Sequence, residues 1–329
     1  MEDIKVYCEN TGAYESVAMG TTLHQLCQDL GYSSKSEVLA ALVDNKLKSL
    51  DYKVISPDNV RFIGYDHPDG RRTYIRSLCF VLQKVVHEMF PDKVLAIDYA
   101  LPSGLYCEIR ERKVLEDGLP HVYFVTDAEL EAIQAHMKEI VASDLPFTKK
   151  MMAMDDAAEL FEANGQRAKA RLLKTLGRFH YNVYWLDGLA DTFYGPLTTS
   201  TGCLTTFDIS GFNDGFCLQY PMDGDPGRVL PMKRQSKLAT ALKEQSDWCS
   251  VMGVKGVGTL NRKVLSGEIV DLINLSEALH ERKYADIADQ ISARRGSVKI
   301  VFIAGPSSSG KTSTSKRLAI QCRILGLNP

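Results

Sequence analysis

The chain has 329 residues, 45% of them hydrophobic and 24% charged, with a formal net charge of −2. That profile belongs to a globular protein with room for two or three domains, and no apolar run approaches the ~20 residues that a membrane-spanning helix needs. The opening MEDIKVYCENTG lacks the basic start and apolar stretch of a secretory signal, and the cysteines at 8, 27, 79, 107, 203, 217, 249 and 322 contain no C-x-x-C pair. Reduced thiols, a cytoplasmic setting, no membrane and no zinc are therefore expected. Charge is uneven: Arg294, Arg295, Lys299, Lys311, Lys316, Arg317 and Arg323 follow residue 289 without an Asp or Glu, so −2 less +7 leaves −9 on residues 1–289. Such a tail suits a polyphosphate ligand, unless acidic sequence beyond this chain balances it.

In chain order, Ile4 to Tyr7 alternates like a strand, and Thr21 to Leu30 offers an N-cap hydroxyl, apolar positions at 23, 26, 27 and 30, and Gly31 as a stop. Leu39 to Val43, the Asp44-Asn45 turn and Lys46-Leu47 predict a strand and hairpin, and Val60 to Ile63 a closing strand. Strands embracing one helix suggest a β-grasp over residues 1–64, which resembles the TGS domain of threonyl-tRNA synthetases.

Tyr74 to Pro91 predicts an amphipathic helix ended by proline, and further on stands Asp191-Thr-Phe-Tyr-Gly-Pro-Leu-Thr-Thr-Ser-Thr-Gly202. Both segments resemble the second additional domain of threonyl-tRNA synthetases, the editing domain that hydrolyses mischarged tRNA. In that family the helix carries H-x-x-x-H and the loop reads roughly D-x-C-x-G-P-H. Here the helix positions are Arg76 and Phe80, the cysteine position is Phe193 and the second loop position is Leu197. None of the four can hold a metal or activate a water. Gly195-Pro196 and Ser200-Thr-Gly202 match the family, so the resemblance implies a kept scaffold over 65–228 with lost editing chemistry. His87 stands too far along the helix to substitute. Cys79 and His180 are isolated and read as core. Arg71, Arg72 and Arg76 form a basic cluster, either a solvated helix start or a contact for an anion or an RNA backbone.

From about residue 229 the sequence turns helical, with Lys237 to Trp248 and then Asp271 to Ile291 as amphipathic segments. Val254-Lys-Gly-Val-Gly-Thr-Leu260 between them reads as an inter-helix turn, with a helix-hairpin-helix contact as the alternative. Val298 to Ala304 is then a short apolar run, the pattern of a buried parallel strand. It leads into Gly305-Pro-Ser-Ser-Ser-Gly310-Lys311-Thr312, a match to G-x-x-x-x-G-K-[ST]. A helix with Leu318, Cys322 and Leu325 on one face follows, and Gly326 closes it.

Strand, glycine-rich loop and helix is the setting in which backbone N–H groups converge on phosphates; a Ser/Gly-rich turn with an incidental lysine is the bland alternative. On the first reading Gly305, Ser307, Ser308, Ser309, Gly310, Lys311, Thr312 and Ser313 hold the phosphates of ATP. Lys311 is the catalytic cation and Thr312 the Mg²⁺ ligand. One strand and one helix do not make a doubly wound sheet, so the chain is expected to be an N-terminal fragment of a longer protein. In order, a TGS-like domain (1–64), a degenerate editing-like domain (65–228), a helical connector (229–296) and the start of a P-loop domain (297–329) resemble the uridine-kinase-like nucleoside kinases that carry a synthetase-derived N-terminal half. The resemblance implies an α+β multidomain protein that phosphorylates a nucleoside of the uridine or cytidine type, although this chain alone is expected to be inactive as a kinase. A regulatory module that binds RNA or a small molecule is the alternative, and no pattern sets an oligomeric state.

Overall fold

The computed structural model describes residues 3–33, 38–111, 121–233, 235–254 and 256–329. The chain separates into two units, Met1–Glu244 and Gln245–Pro329.

In the first unit, β1 (Asp3–Cys8) and β2 (Ala13–Ala18) form an antiparallel hairpin, and α1 (Leu23–Asp29) follows. Thr22 caps α1, its hydroxyl accepting from the Gln25 amide at 3.2 Å. Next come β3 (Ala40–Val43), β4 (Lys46–Lys48) and β5 (Asn59–Ile63), giving a sheet of order β2-β1-β5-β3-β4 with β5 parallel to β1. Asp44 and Asn45 both adopt positive φ (47° and 61°), as a two-residue hairpin turn of the predicted kind requires. The helix and sheet enclose Val6, Cys8, Leu23, Leu26, Cys27, Val54 and Val60. The β2 strand has no counterpart in the apolar pattern, because only Val17 of AYESVA is buried.

Helix α2 (Pro68–Met89) starts earlier than its apolar stretch: Pro68 takes the first helical position, where its missing N–H is harmless, and His67 caps it. Gly70 sits on the preceding backbone, where a Cβ would lie 1.8 Å from the Gly64 carbonyl oxygen. Leu78, Phe80, Val81, Leu82, Val85 and Val86 are buried around the whole circumference, which makes α2 the central helix of the unit.

After α2 the chain forms β6 (Lys93–Leu101), β7 (Gly104–Glu111), β8 (Val122–Tyr123), α3 (Asp127–Ala142), β9 (Thr148–Ala153), α4 (Met154–Ala163), α5 (Arg167–Leu173), β10 (His180–Leu186) and β11 (Leu189–Asp191). It continues through β12 (Asp208–Phe212), β13 (Gly215–Gln219), β14 (Pro221–Met222), β15 (Asp225–Val229) and α6 (Ser236–Val251). One sheet has the order β12-β13-β7-β6 with β8 beside β7, a second β11-β10-β9, and β14-β15 is a hairpin. A capping box between Thr126 and Glu129 starts α3, whose Ile133, Met137 and Ile140 share one core with α2, Ile109, Phe216 and Leu218. Phe161 of α4 and Leu173 of α5 cluster with Tyr181 and Val183 of β10. The unit is thus α+β with several sheets.

The boundary between the units falls within α6, and the second unit also holds α7 (Val257–Leu265), α8 (Ile269–Ala293) and α9 (Lys311–Ile324). Gly258 lies inside α7 with Gly256 as its N-cap, so the expected turn around Val254–Leu260 is shorter than read; residue 255 lies outside the described residues. Ala288 of α8 packs on Leu318 and Cys322 of α9, on the predicted face, and Gly326 follows α9 at positive φ (73°). The expected strand Val298 to Ala304 does not form. Residues 299–304 are exposed, Phe302 by 89%, and none of the stretch belongs to a strand. A parallel strand needs neighbours on both sides, and no strand occurs among the described residues of this unit.

Candidate functional site

The four positions at which the sequence departs from the H-x-x-x-H and D-x-C-x-G-P-H pattern converge. Arg76 and Phe80 stand one turn apart on α2, and the loop after β11 brings Phe193 and Leu197 to them. The Phe80 ring is fully buried, 5.1 Å from the Phe193 centroid and stacked 5.8 Å from Phe147. Tyr184 stands edge-on to Phe193 at 6.0 Å, and Leu197 is buried in the same core.

The Arg76 guanidinium reaches into this loop, its Nε donating to the Pro196 carbonyl at 3.1 Å and Nη2 to Thr73 Oγ1 at 3.0 Å. Burial pulls its pKa below the ordinary arginine value, against the opposing fields of Tyr184 and Asp69. Gly195 makes room for it: φ is +132° and a Cβ would lie 2.8 Å from Arg76 Cζ. Tyr184 donates to the Gly195 carbonyl at 3.1 Å. Two phenyl rings, an isobutyl group and a donor-only guanidinium offer no lone pair to a metal or a water. No group of three His, Cys, Asp or Glu able to hold a metal occurs among the described residues.

Beside this plug, Asp191 is almost fully buried and pairs with Lys169, while also accepting from the Thr192 amide at 2.6 Å. Cys79 is buried, its thiol pushed up to about 12 by burial and by the Asp191 charge, so it is no thiolate nucleophile. His180 opens β10 exposed, not in the core as its isolation suggested. The three arginines do not act as one cluster either. Arg71 pairs with Asp223 and lies over the Tyr65 ring, Arg72 pairs with Asp69 at 2.7 Å, and Arg76 turns inward. Each is drawn to its own acceptor, because three adjacent cations repel.

A cleft of about 310 Å³ opens next to the plug, with Tyr184 and Leu197 on one side and His24 and Asp51 on the other. Lys149 spans it, its Nζ 3.0 Å from Asp51 Oδ2 and 3.0 Å from Ser49 Oγ. His24 Nδ1 is buried without a hydrogen-bond partner. The cleft residues come from segments ~100 positions apart in the chain, and no local spacing announces them.

In the second unit the loop Gly305–Ser313 runs into the first turn of α9. Gly310 adopts the left-handed conformation (φ 76°) before Lys311, the first helical residue, and Ser308 is also at positive φ (61°). A Cβ on Gly305 would lie 2.7 Å from Ser309 Oγ. Lys311 Nζ folds back to donate to the Gly305 carbonyl at 2.9 Å and to that of Pro306. Thr312 and Ser313 lie in the first turn of α9, and Ser307, Ser308 and Ser309 are exposed.

The first unit is therefore an α+β scaffold in which Arg76 and Phe80 of α2 meet the Phe193–Leu197 loop, and the second holds a helix start preceded by a tight glycine-bounded loop. No protein-family model matches the chain. It is similar to threonine–tRNA ligases. That of Desulforamulus reducens is 26% identical over 199 residues, 60% of this chain and 30% of that protein. Those of Marinobacter nauticus (24% over 200 residues) and Azobacteroides pseudotrichonymphae (24% over 207 residues) cover 60% and 63% of this chain, and 30% and 31% of their own lengths. The chain spans about a third of the length of these curated relatives.

Proposed function

We propose that residues 1–228 are a recognition module derived from the N-terminal region of a threonyl-tRNA synthetase. On this reading a TGS-type β-grasp domain (1–64) is joined to an editing-like domain (65–228) that binds RNA and does not hydrolyse an aminoacyl ester on it. The observation that carries the reading is the convergence of Arg76, Phe80, Phe193 and Leu197: the positions meet, but their side chains carry no water-activating chemistry. Similarity to threonine–tRNA ligases over about 60% of the chain supports it, and so does the β2-β1-β5-β3-β4 order with its parallel central pair. The test uses the whole chain with a fluorescent tRNA and, separately, with a serine-charged threonine tRNA. Salt-dependent binding without deacylation above the buffer rate is expected. Enzymatic deacylation, or no binding at low salt, would sink the proposal.

A second reading rests on the loop Gly305–Ser313. We infer that it belongs to a P-loop kinase of the uridine-kinase type, in which ATP and Mg²⁺ serve transfer to a nucleoside hydroxyl. The residues fit a phosphate group: the glycines keep the loop tight, its amides precede a helix N-terminus, and Lys311 needs only to leave two carbonyls to meet an anion. Thr312 would supply the Mg²⁺ contact. Equilibrium binding of a fluorescent ATP analogue with Mg²⁺ tests this. Lys311→Ala is expected to weaken it at least tenfold, and equal binding would remove the role given to Lys311.

A further inference from the structure

Two parts of the first unit face each other across the cleft beside the plug. Lys149 of β9 stands opposite Tyr184 of β10, so both side chains leave their sheet on the same face. On the other side the His24 amide donates to the Leu50 carbonyl at 2.8 Å, which ties the start of α1 to the Ser49–Asp51 segment.

Much of the polar lining is already engaged. Thr22 caps α1, Thr198 Oγ1 donates to the Ser200 carbonyl at 3.0 Å, and the Tyr184 hydroxyl donates to that of Gly195 at 3.1 Å. Leu50, Phe147 and Leu197 add hydrocarbon. Among the described lining residues, Lys149 and Asp51 are the two with a fixed charge, and Ser49 Oγ is bonded to both. His24 Nδ1 is buried without a partner among the described residues, a cost that a hydrogen-bonding occupant would remove.

The Lys149 and Asp51 side chains are 29% and 56% exposed, so their 3.0 Å pair is screened and opens at little cost. Charge then selects the occupant. An anion on Lys149 would meet Asp51 as a like charge, and a cation on Asp51 would meet Lys149 in the same way. A molecule that carries both charges close together gives each residue a new partner. At about 310 Å³ the cleft lies at the small end of ligand pockets, which run from roughly 300 to 1,000 Å³.

We propose that this cleft binds a free amino acid with an apolar side chain. Its carboxylate meets Lys149 and Ser49, its ammonium meets Asp51, and its side chain lies against Leu50, Phe147 and Leu197. The site goes beyond the RNA-binding reading and does not depend on it, because it requires a free carboxylate, which an aminoacyl ester lacks.

Equilibrium dialysis of the whole chain with radiolabelled L-leucine tests this, with leucine methyl ester, N-acetyl-leucine and glycine as competitors. Leucine is expected to be retained. Each competitor should displace it at least about tenfold less well than unlabelled leucine, since each lacks one charged group or the hydrocarbon body. Lys149→Gln and Asp51→Asn should each weaken retention at least about tenfold, with little change in the thermal midpoint of the unliganded chain. If a variant does lose its fold, the competition series on the wild type decides alone. No retention of leucine, full competition by the ester or the acetylated form, or unchanged retention by both variants overturns the proposal. Binding of tRNA that persists in either variant leaves the RNA reading standing whatever leucine does.

Discussion

If Phe80 and Phe193 fill a pocket, removing them should reveal what that filling contributes. Phe80 is fully buried and touches rings on two sides, at 5.1 Å and 5.8 Å. Phe80→Ala therefore leaves a ring-sized cavity among groups that cannot all collapse, a change that costs about 3–5 kcal/mol. For a unit of this size that corresponds to a fall of about 6–20 °C in thermal midpoint. Phe193 is half-buried, and Phe193→Ala should cost about half as much. Since the two rings touch, the double variant should be less damaging than the sum by about 0.5–1.5 kcal/mol. Trp185, on β10, reports the unfolding of this unit, and Trp248, the second of the two tryptophans, can be silenced as Trp248→Phe. Urea titrations of the four proteins in that background give the cycle. A Phe80→Ala cost under about 1 kcal/mol, or strict additivity, would refute the packed plug.

Arg76→Met keeps the bulk of the side chain but deletes its donors to Pro196 and Thr73; a loss of about 2–3 kcal/mol is expected in the same titration, and a neutral result would mean the guanidinium holds nothing. His136 contacts Glu88 (2.8 Å) and Glu139 (3.0 Å), with Lys84 also on Glu88 at 2.7 Å. The two carboxylates raise the histidine pKa, so its stabilisation is complete below the unfolded value of about 6.5 and is lost as pH rises through the folded value. The gap between wild type and His136→Gln should therefore close on going from acid to alkaline buffer; a gap that widens contradicts the assignment. The combination R76H/F80H/F193C/L197H introduces paired imidazoles at i, i+4 with a facing thiol and a third imidazole. It should bind one Zn²⁺ per chain with a rise in thermal midpoint, and no uptake would mean the four positions do not share one site.

Elements whose burial follows one clear period could be read in advance. Thr22 and the apolar set of α1, the Asp44-Asn45 turn and the Leu318/Cys322 face of α9 were legible, whereas α2, expected to be amphipathic, is buried on all sides. Strands with no such period were not legible. β2 buries a single residue, β9 (TKKMMA) shows most of its length to solvent, and β6 mixes half-buried and exposed residues and buries only Leu101. The converging positions were legible through resemblance to a motif. The cleft was not, because the Lys149–Asp51 pair joins residues nearly a hundred positions apart. At Val298 to Ala304 the pattern of a buried strand is present without the neighbours that would bury it, so local composition and structure part company.

Where the four converging positions stand explains why hydrocarbon and a guanidinium suit them. The Arg76 and Phe80 positions lie on the most buried helix of the unit, and the Phe193 and Leu197 positions on a loop tied to it through Pro196 and Gly195. Deleting the side chains there would leave a void beneath α2, costing as much as a core truncation. Aromatic and aliphatic replacement fills that void, and the guanidinium satisfies a loop carbonyl that would otherwise lack a donor. Filling these positions keeps the core rigid, and the Lys149 cleft borders them through Leu197.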